Sequence, residues 1–190
     1  MSNTRQKILT NATECFFQHG YAVANVSMIS RYTGISRVTI HKQFKSKEEL
    51  FRAVVVEHFN NNRIHLNQYI QSTDDFWSDT EIFILERCGG LFEEIKSTLI
   101  RTDLLHAGQT YCSDIIQENE MTVLKGIETR LSKELTAEHI CLNKIDISIK
   151  DFARLITSAP LGIALSSIEE DNQAFVKHLM KTFKASTRPS

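Results

Sequence analysis

The stretch Gly34-Ile35-Ser36-Arg37-Val38-Thr39-Ile40-His41-Lys42-Gln43-Phe44 decides the fold. Gly34 suits the left-handed backbone of a tight turn. Ile35 follows as an apolar anchor, and Ser36 is a helix N-cap residue. In the helix that Ser36 opens, Ile40 and Phe44 are four apart and face inward together. Arg37, Thr39, Lys42 and Gln43 are left on the outer surface. Those types suit the major groove of DNA: Arg or Lys for guanine, Gln for adenine, Thr for a thymine methyl group or a phosphate. A solvated polar face would carry similar residues, so the flanking segments have to decide between the two readings.

Upstream, Asn25 caps a short helix holding Val26, Ile29 and Ser30, which ends at Gly34. Two short helices joined by a glycine-containing turn form a helix-turn-helix candidate. Before them, a first helix is expected from about Thr4, with Asn3 as cap and Gln6 reaching back to it. Its apolar stripe is Ile8, Leu9, Ala12, Cys15 and Phe16. Gly20 is expected to stop it, with Phe16 and Tyr21 as the apolar pair of the ending. Downstream, Ser46 and Glu49 form a capping box, and Lys47 lies beside a helix N-terminus able to hold a phosphate.

Charge separates this segment from the rest. Residues 1–47 carry seven basic side chains (Arg5, Lys7, Arg31, Arg37, Lys42, Lys45, Lys47) against Glu14 alone, a balance of +6. The remainder carries 15 basic and 22 acidic residues, a balance of −7 that leaves the chain at −1. A basic module on an acidic body points to a polyanion partner. Placed directly after a tight turn, the polar face of Arg37–Gln43 therefore reads as a recognition surface.

The chain has 190 residues, 42% hydrophobic and 24% charged, with seven Gly and two Pro. That is ordinary globular composition, and so few chain-breakers favour helices over a many-stranded fold. No apolar run reaches the ~18 residues of a spanning helix. The polar opening residues read as no secretory signal, so a reducing cytoplasm is expected. Cys15, Cys88, Cys112 and Cys141 are scattered without metal-ligand spacing and read as core residues. No metal and no cofactor is expected.

The acidic body reads as further helices. A long fourth helix from Lys47 to about Gln71 carries Leu50, Val54, Val55 and Phe59. A fifth is expected from Asp79 to Leu99, interrupted at Gly89-Gly90, and a sixth from Thr98 to Gly108. A seventh carries Ile116, Val123, Ile127 and Leu131. Ser148 and Asp151 open a penultimate helix that runs to Ile168 and is kinked at Pro160. The last helix has the stripe Phe175, Val176, Leu179, Met180 and Phe183. The expectation is an all-α protein of about nine helices: a helix-turn-helix domain over residues 1–50 and a helical body over 51–190.

The run from Ile8 to Leu50 resembles the DNA-binding domain of the TetR (tetracycline-repressor-like) family of bacterial transcriptional regulators. The resemblance rests on Ile8-Leu9, Phe16-Phe17, Gly20-Tyr21, Val26, Ile29, Gly34-Ile35-Ser36-Arg37, Thr39-Ile40, Phe44 and Ser46-Lys47-Glu48-Glu49-Leu50. It implies a cytoplasmic homodimer that reads a palindromic operator and pairs through its last two helices. Carried over by position, DNA contacts fall on Asn25, Ser27, Arg37, Thr39, His41, Lys42, Gln43 and Lys47. Val38, His41 and Gln43 depart from the common Gly, Tyr and His, and Ser30 and Thr33 stand where Ala is usual. The family analogy also implies an effector pocket in the body, for which Trp77, Phe83, Phe92, His106, Tyr111, Cys112, Met121 and Phe152 are the lining candidates. Their apolar character favours a hydrophobic small-molecule effector.

The expected function is a DNA-binding repressor released by that effector, with helix four transmitting the change. A regulator that binds DNA constitutively is the alternative, and an interaction adaptor using the basic segment is a further one. An enzyme is not expected: paired ExxH motifs, HExxH, a glycine-rich phosphate loop and GxSxG are all missing.

Overall fold

A computed structural model describes residues 3–89, 95, 97–164 and 172–189. The described residues form nine helices and no strand: α1 (Asn3–Val23), α2 (Val26–Thr33), α3 (Arg37–Gln43), α4 (Lys47–Gln71), α5 (Phe76–Gly89), α6 (Thr98–Tyr111), α7 (Ser113–Thr136), α8 (Ile149–Ala164) and α9 (Asn172–Ser186). The chain groups into two compact units, Met1–Asn61 with Glu93–Glu118, and Asn62–Phe92 with Asn119–Ser190.

In the first unit, Ile8, Leu9, Ala12, Cys15 and Phe16 of α1 are buried with Ile29, Ile40, Phe44, Leu50, Phe51 and Val54. Ala107 and Cys112, at the end of α6 and just beyond it, complete that core. The aromatic rings interlock at one end. Phe16 meets Phe51 edge-on at 5.1 Å, and Tyr21 lies 4.8 Å from Phe51 and 5.0 Å from Tyr111.

The α1 stop at Gly20 proves to be a kink inside a longer element. Gly20 has φ 77° and ψ 169°, and a further turn reaches Val23. That backbone is open to glycine and strained for anything with a Cβ. A carboxylate from α6 occupies the space: a Cβ at position 20 would lie 2.5 Å from Asp103 Oδ2, which accepts the Ala22 N–H at 2.9 Å. Gln6 does not turn back to cap the helix; its Nε2 donates to Glu57 Oε1 at 3.0 Å.

The second unit is built around Leu66, Tyr69, Phe76, Trp77, Phe83, Ile84, Ile127, Leu131, Phe152, Ile156, Val176 and Met180. Tyr69 stacks on Phe83, and Phe152 meets Phe183 edge-on at 5.2 Å. A charged side chain lies inside this core. Arg130 is 1% exposed, and its guanidinium donates to the carbonyls of Tyr69 and Asp74 and to the carboxylates of Asp79 and Glu134. A charge buried this deeply persists where its N–H groups find acceptors.

Several boundaries differ from the sequence expectation. Helix α5 begins at Phe76, because Asp75 Oδ1 accepts the Ser78 N–H at 2.9 Å and supplies the cap. Its described span runs to Gly89, and the expected course through residues 90–94 lies outside the described residues; Ser97 Oγ accepts the Ile100 N–H and starts α6. Helix α6 passes Gly108 and continues to Tyr111. Ser148 does cap α8, accepting the Asp151 N–H at 3.0 Å, and Pro160 sits inside that helix. The expected continuation of α8 to Ile168 lies outside the described residues.

Candidate nucleic-acid interface

The turn between α2 and α3 is fixed by side chains at both edges. Asn25 Oδ1 accepts the Met28 N–H at 3.1 Å and starts α2. Gly34 closes α2 in the left-handed region, φ 67° and ψ 14°, with open space where a Cβ would be. Thr33 Oγ1 accepts the Ile35 N–H at 3.0 Å, and the Ser30 hydroxyl donates to the Ile35 carbonyl at 2.7 Å. Ser36 Oγ then accepts the Thr39 N–H at 3.2 Å and starts α3. Each bond satisfies a backbone group that a helix end leaves open.

On α3 the two faces separate as the spacing implies. Ile40 and Phe44 are each 1% exposed, and Arg5 stacks its guanidinium over the Phe44 ring at 4.4 Å. Arg37, His41, Lys42 and Gln43 are exposed, and Thr39 is half-buried with its hydroxyl 2.9 Å from Ser36 Oγ. Val38, where a glycine is common, is 66% exposed on the same outer side and adds an apolar contact surface. Ser27, exposed at the start of α2, stands with Arg37: Arg37 Nη1 donates to Ser27 Oγ at 3.4 Å. The structure thus gathers Ser27, Arg37, His41, Lys42 and Gln43 on accessible surface of α2 and α3.

Two of the eight contact candidates also hold the domain together. Asn25 is exposed, but its carbonyl oxygen is engaged as the α2 cap. Lys47 is half-buried: its ammonium donates to the carbonyls of Tyr21 and Ala24 at 2.8 and 3.1 Å and lies 4.1 Å from the Tyr21 ring centre. It ties the end of α1 to the start of α4. The Tyr21 hydroxyl is pushed up to about 12, first by burial and then by Tyr111 and Glu48. The bonds of Ser30 and Thr33, and the Arg5 stack, escaped the sequence reading. Two hydroxyl residues where Ala is usual were the signal for the first pair.

The described effector-pocket candidates divide between the two units. Trp77 and Phe152 meet edge-on at 6.2 Å in the second unit, and Phe83 is buried beneath Tyr69. Met121 is 58% exposed there. Tyr111 and Cys112 belong to the first unit, where Cys112 is buried and His106 is exposed. Phe92 lies outside the described residues. Phe83 borders a recess, which it shares with α4 and α7 residues including Leu66, Asn119 and Val123. That recess has room for little more than one water molecule.

Residues 8–54 match the sequence profile of the bacterial regulatory proteins of the tetR family. The match covers the N-terminal quarter of the chain. Its relatives include the transcriptional repressor AcnR of Corynebacterium efficiens, 46% identical over 55 residues, 29% of each chain. The transcriptional activator FasR of Mycolicibacterium smegmatis is 32% identical over 71 residues, 37% of this chain and 32% of that one. The chain thus matches about three-tenths of the length of these curated relatives. The tetR-family likeness in fold extends further. SmeT, the repressor of the Stenotrophomonas maltophilia multidrug efflux pump SmeDEF, superimposes with a TM-score of 0.74 at 18% identity, over 100% of this chain and 92% of that one. A TetR-family regulator from Agrobacterium tumefaciens gives 0.75 at 15% identity, over 97% of both chains.

Proposed function

We propose that this chain is a DNA-binding transcriptional repressor that reads a palindromic operator as a homodimer and is released by a small-molecule effector. The observation that carries the reading is α3 itself: Arg37, His41, Lys42 and Gln43 exposed above a buried Ile40 and Phe44, in a segment of net charge +6. In this reading residues 1–50 are the DNA-binding domain and 51–190 the effector-binding and dimerisation domain. Lys42 and Gln43 read base edges. Arg37, Ser27, Thr39 and His41 fix register on phosphates or adjoining bases, and Asn25 and Lys47 hold the ends of α2 and α4 against the backbone. Repression is favoured over activation by the higher identity to the AcnR repressors than to FasR.

Dimerisation through α8 and α9 accounts for large apolar side chains left on them, Leu155 at 46% and Phe175 at 45% exposure. Two-fold pairing would present two α3 helices to half-sites about 34 Å apart, or a multiple of that. The effector is a hydrophobic molecule of the body, and it acts by favouring one of two conformations. The protein works in the cytoplasm, where its DNA is.

The test is selection of bound fragments from the source genome, followed by footprinting. A protected palindrome with half-sites one or two helical turns apart is expected. Binding that shows no preference among fragments would overturn the reading, and sedimentation that finds only monomer at micromolar concentration would remove the dimer.

A further inference from the structure

We propose that the recess walled by α4, α5 and α7 in the second unit is a carboxylate site, with Arg87 as its anchor. Its apolar wall is Leu66, Phe83 and Val123, and its polar wall includes His65, Arg87 and Asn119. The Arg87 side chain is only 9% exposed. Its Nη2 donates to Glu120 Oε1, while Nη1 is buried and has no hydrogen-bond partner among the described residues. A buried cationic donor without an acceptor is costly, and an acceptor brought by a ligand relieves that cost. Asn119, 7% exposed, adds an amide to the same wall.

The chemistry selects the ligand class. With Nη2 held by Glu120, Nη1 is left to donate a charge-assisted hydrogen bond to one anionic oxygen, which a carboxylate supplies. Space for about one water molecule admits one carboxylate oxygen, and Leu66, Phe83 and Val123 supply the apolar surface for the rest of the molecule. Glu120 on Arg87, and Glu86 on His65 at 2.8 Å, already place negative charge nearby. A singly charged planar head group is favoured there over a dianion with tetrahedral oxygens. The ligand is therefore a small organic acid with an apolar body. This deepens the effector part of the proposed function by naming its head group, but binding itself needs no operator.

The experiment titrates the full chain, without DNA, with sodium acetate, sodium butyrate and sodium phosphate. Each is matched in ionic strength with sodium chloride, and binding is read by calorimetry and by the thermal midpoint. Saturable stabilisation by the carboxylates above chloride is expected, stronger for butyrate. Arg87→Met should weaken it by about tenfold or more, the worth of a charge-assisted hydrogen bond. If that variant does not fold, Val123→Phe, which fills the recess from its apolar side, should abolish the same binding. Carboxylates no better than chloride would overturn the site, as would affinity unchanged in both variants or binding of phosphate alone. Operator affinity measured in parallel separates the two proposals: carboxylate binding by a chain that ignores DNA would keep this site and remove the regulator.

Discussion

The Ser30 hydroxyl donates to the Ile35 carbonyl at 2.7 Å, across the turn that orients the recognition helix. Thr33 Oγ1 accepts the N–H of the same residue. Ile35 is thus held at both backbone polar groups by side chains of α2, and the entry angle of α3 follows from them. Ser30→Ala and Thr33→Ala should each lower stability by about 1 kcal/mol. Operator affinity should fall beyond what the loss of folded protein explains. Thermal melting and gel-shift titration of the same preparations check this, and undiminished affinity in the double variant would sink the idea.

Gly20 is constrained twice over. Its φ of 77° excludes side chains, and Asp103 Oδ2 stands 2.5 Å from where a Cβ would go. Gly20→Ala should cost about 1–3 kcal/mol from backbone strain alone, with the carboxylate clash in addition. Asp103→Ala should remove the clash but leave the Ala22 N–H without its acceptor, so the double variant should recover only part of the loss. A double-mutant cycle from denaturant midpoints measures that coupling.

Strong acid should weaken an exposed ion pair. Arg52 grips Asp114 with both terminal nitrogens at 2.8 and 2.9 Å, and those hydrogen bonds hold the Asp114 carboxyl at about 2. A folded-state value below the ordinary 3.8 stabilises the fold above that pH, and the contribution fades as pH falls from about 3.8 through about 2. Because the Asp114 side chain is 65% exposed, the effect should be small and screened by salt. Asp114→Asn should lower the neutral thermal midpoint slightly at low ionic strength and flatten the low-pH limb by the same small amount.

Burial pushes the thiols of Cys88 and Cys112 up to about 11 each, with burial the leading cause in both. Cys15 is also buried and raised. At neutral pH these thiols stay protonated and shielded, so they should be slow nucleophiles. Cys141 is half-buried and should react first. Timed alkylation with mass spectrometry is expected to find Cys141 modified well before the other three. Fast labelling of Cys112 in the native protein would contradict the packing of the first unit.

On α3, the two kinds of DNA contact should separate in their readout. Lys42→Ala or Gln43→Ala should change preference at particular base pairs by about 1–3 kcal/mol. Lys47→Ala should weaken binding to all sequences and also lower the melting point, because its ammonium holds the Tyr21 and Ala24 carbonyls. Competition binding over a panel of single-base operator variants distinguishes these outcomes.

The fold of the first fifty residues was legible because each element carries its own local instruction. Asn25, Ser36 and Ser46 cap where expected, and Gly34 takes the left-handed turn. Ile40 and Phe44 face inward from four-residue spacing alone. What could not be read depends on residues distant in sequence. Gln6 prefers Glu57 to its own helix end, and Asp103 lets α1 bend at Gly20 where an ending was expected. In the body, apolar residues of similar size fill both core and surface, so periodicity could not separate buried Trp77 from exposed Met121. Nor could it find Arg87, whose significance lies in one nitrogen left without an acceptor.

Gly34 has open space where Gly20 has a carboxylate. Its requirement is therefore one of handedness and not of room. A mirror-image alanine, introduced by chemical synthesis, would satisfy φ 67° there as comfortably as glycine does. It would also narrow the wandering of the denatured chain, so the bend ahead of α3 would be firmer than the one the genetic code can write.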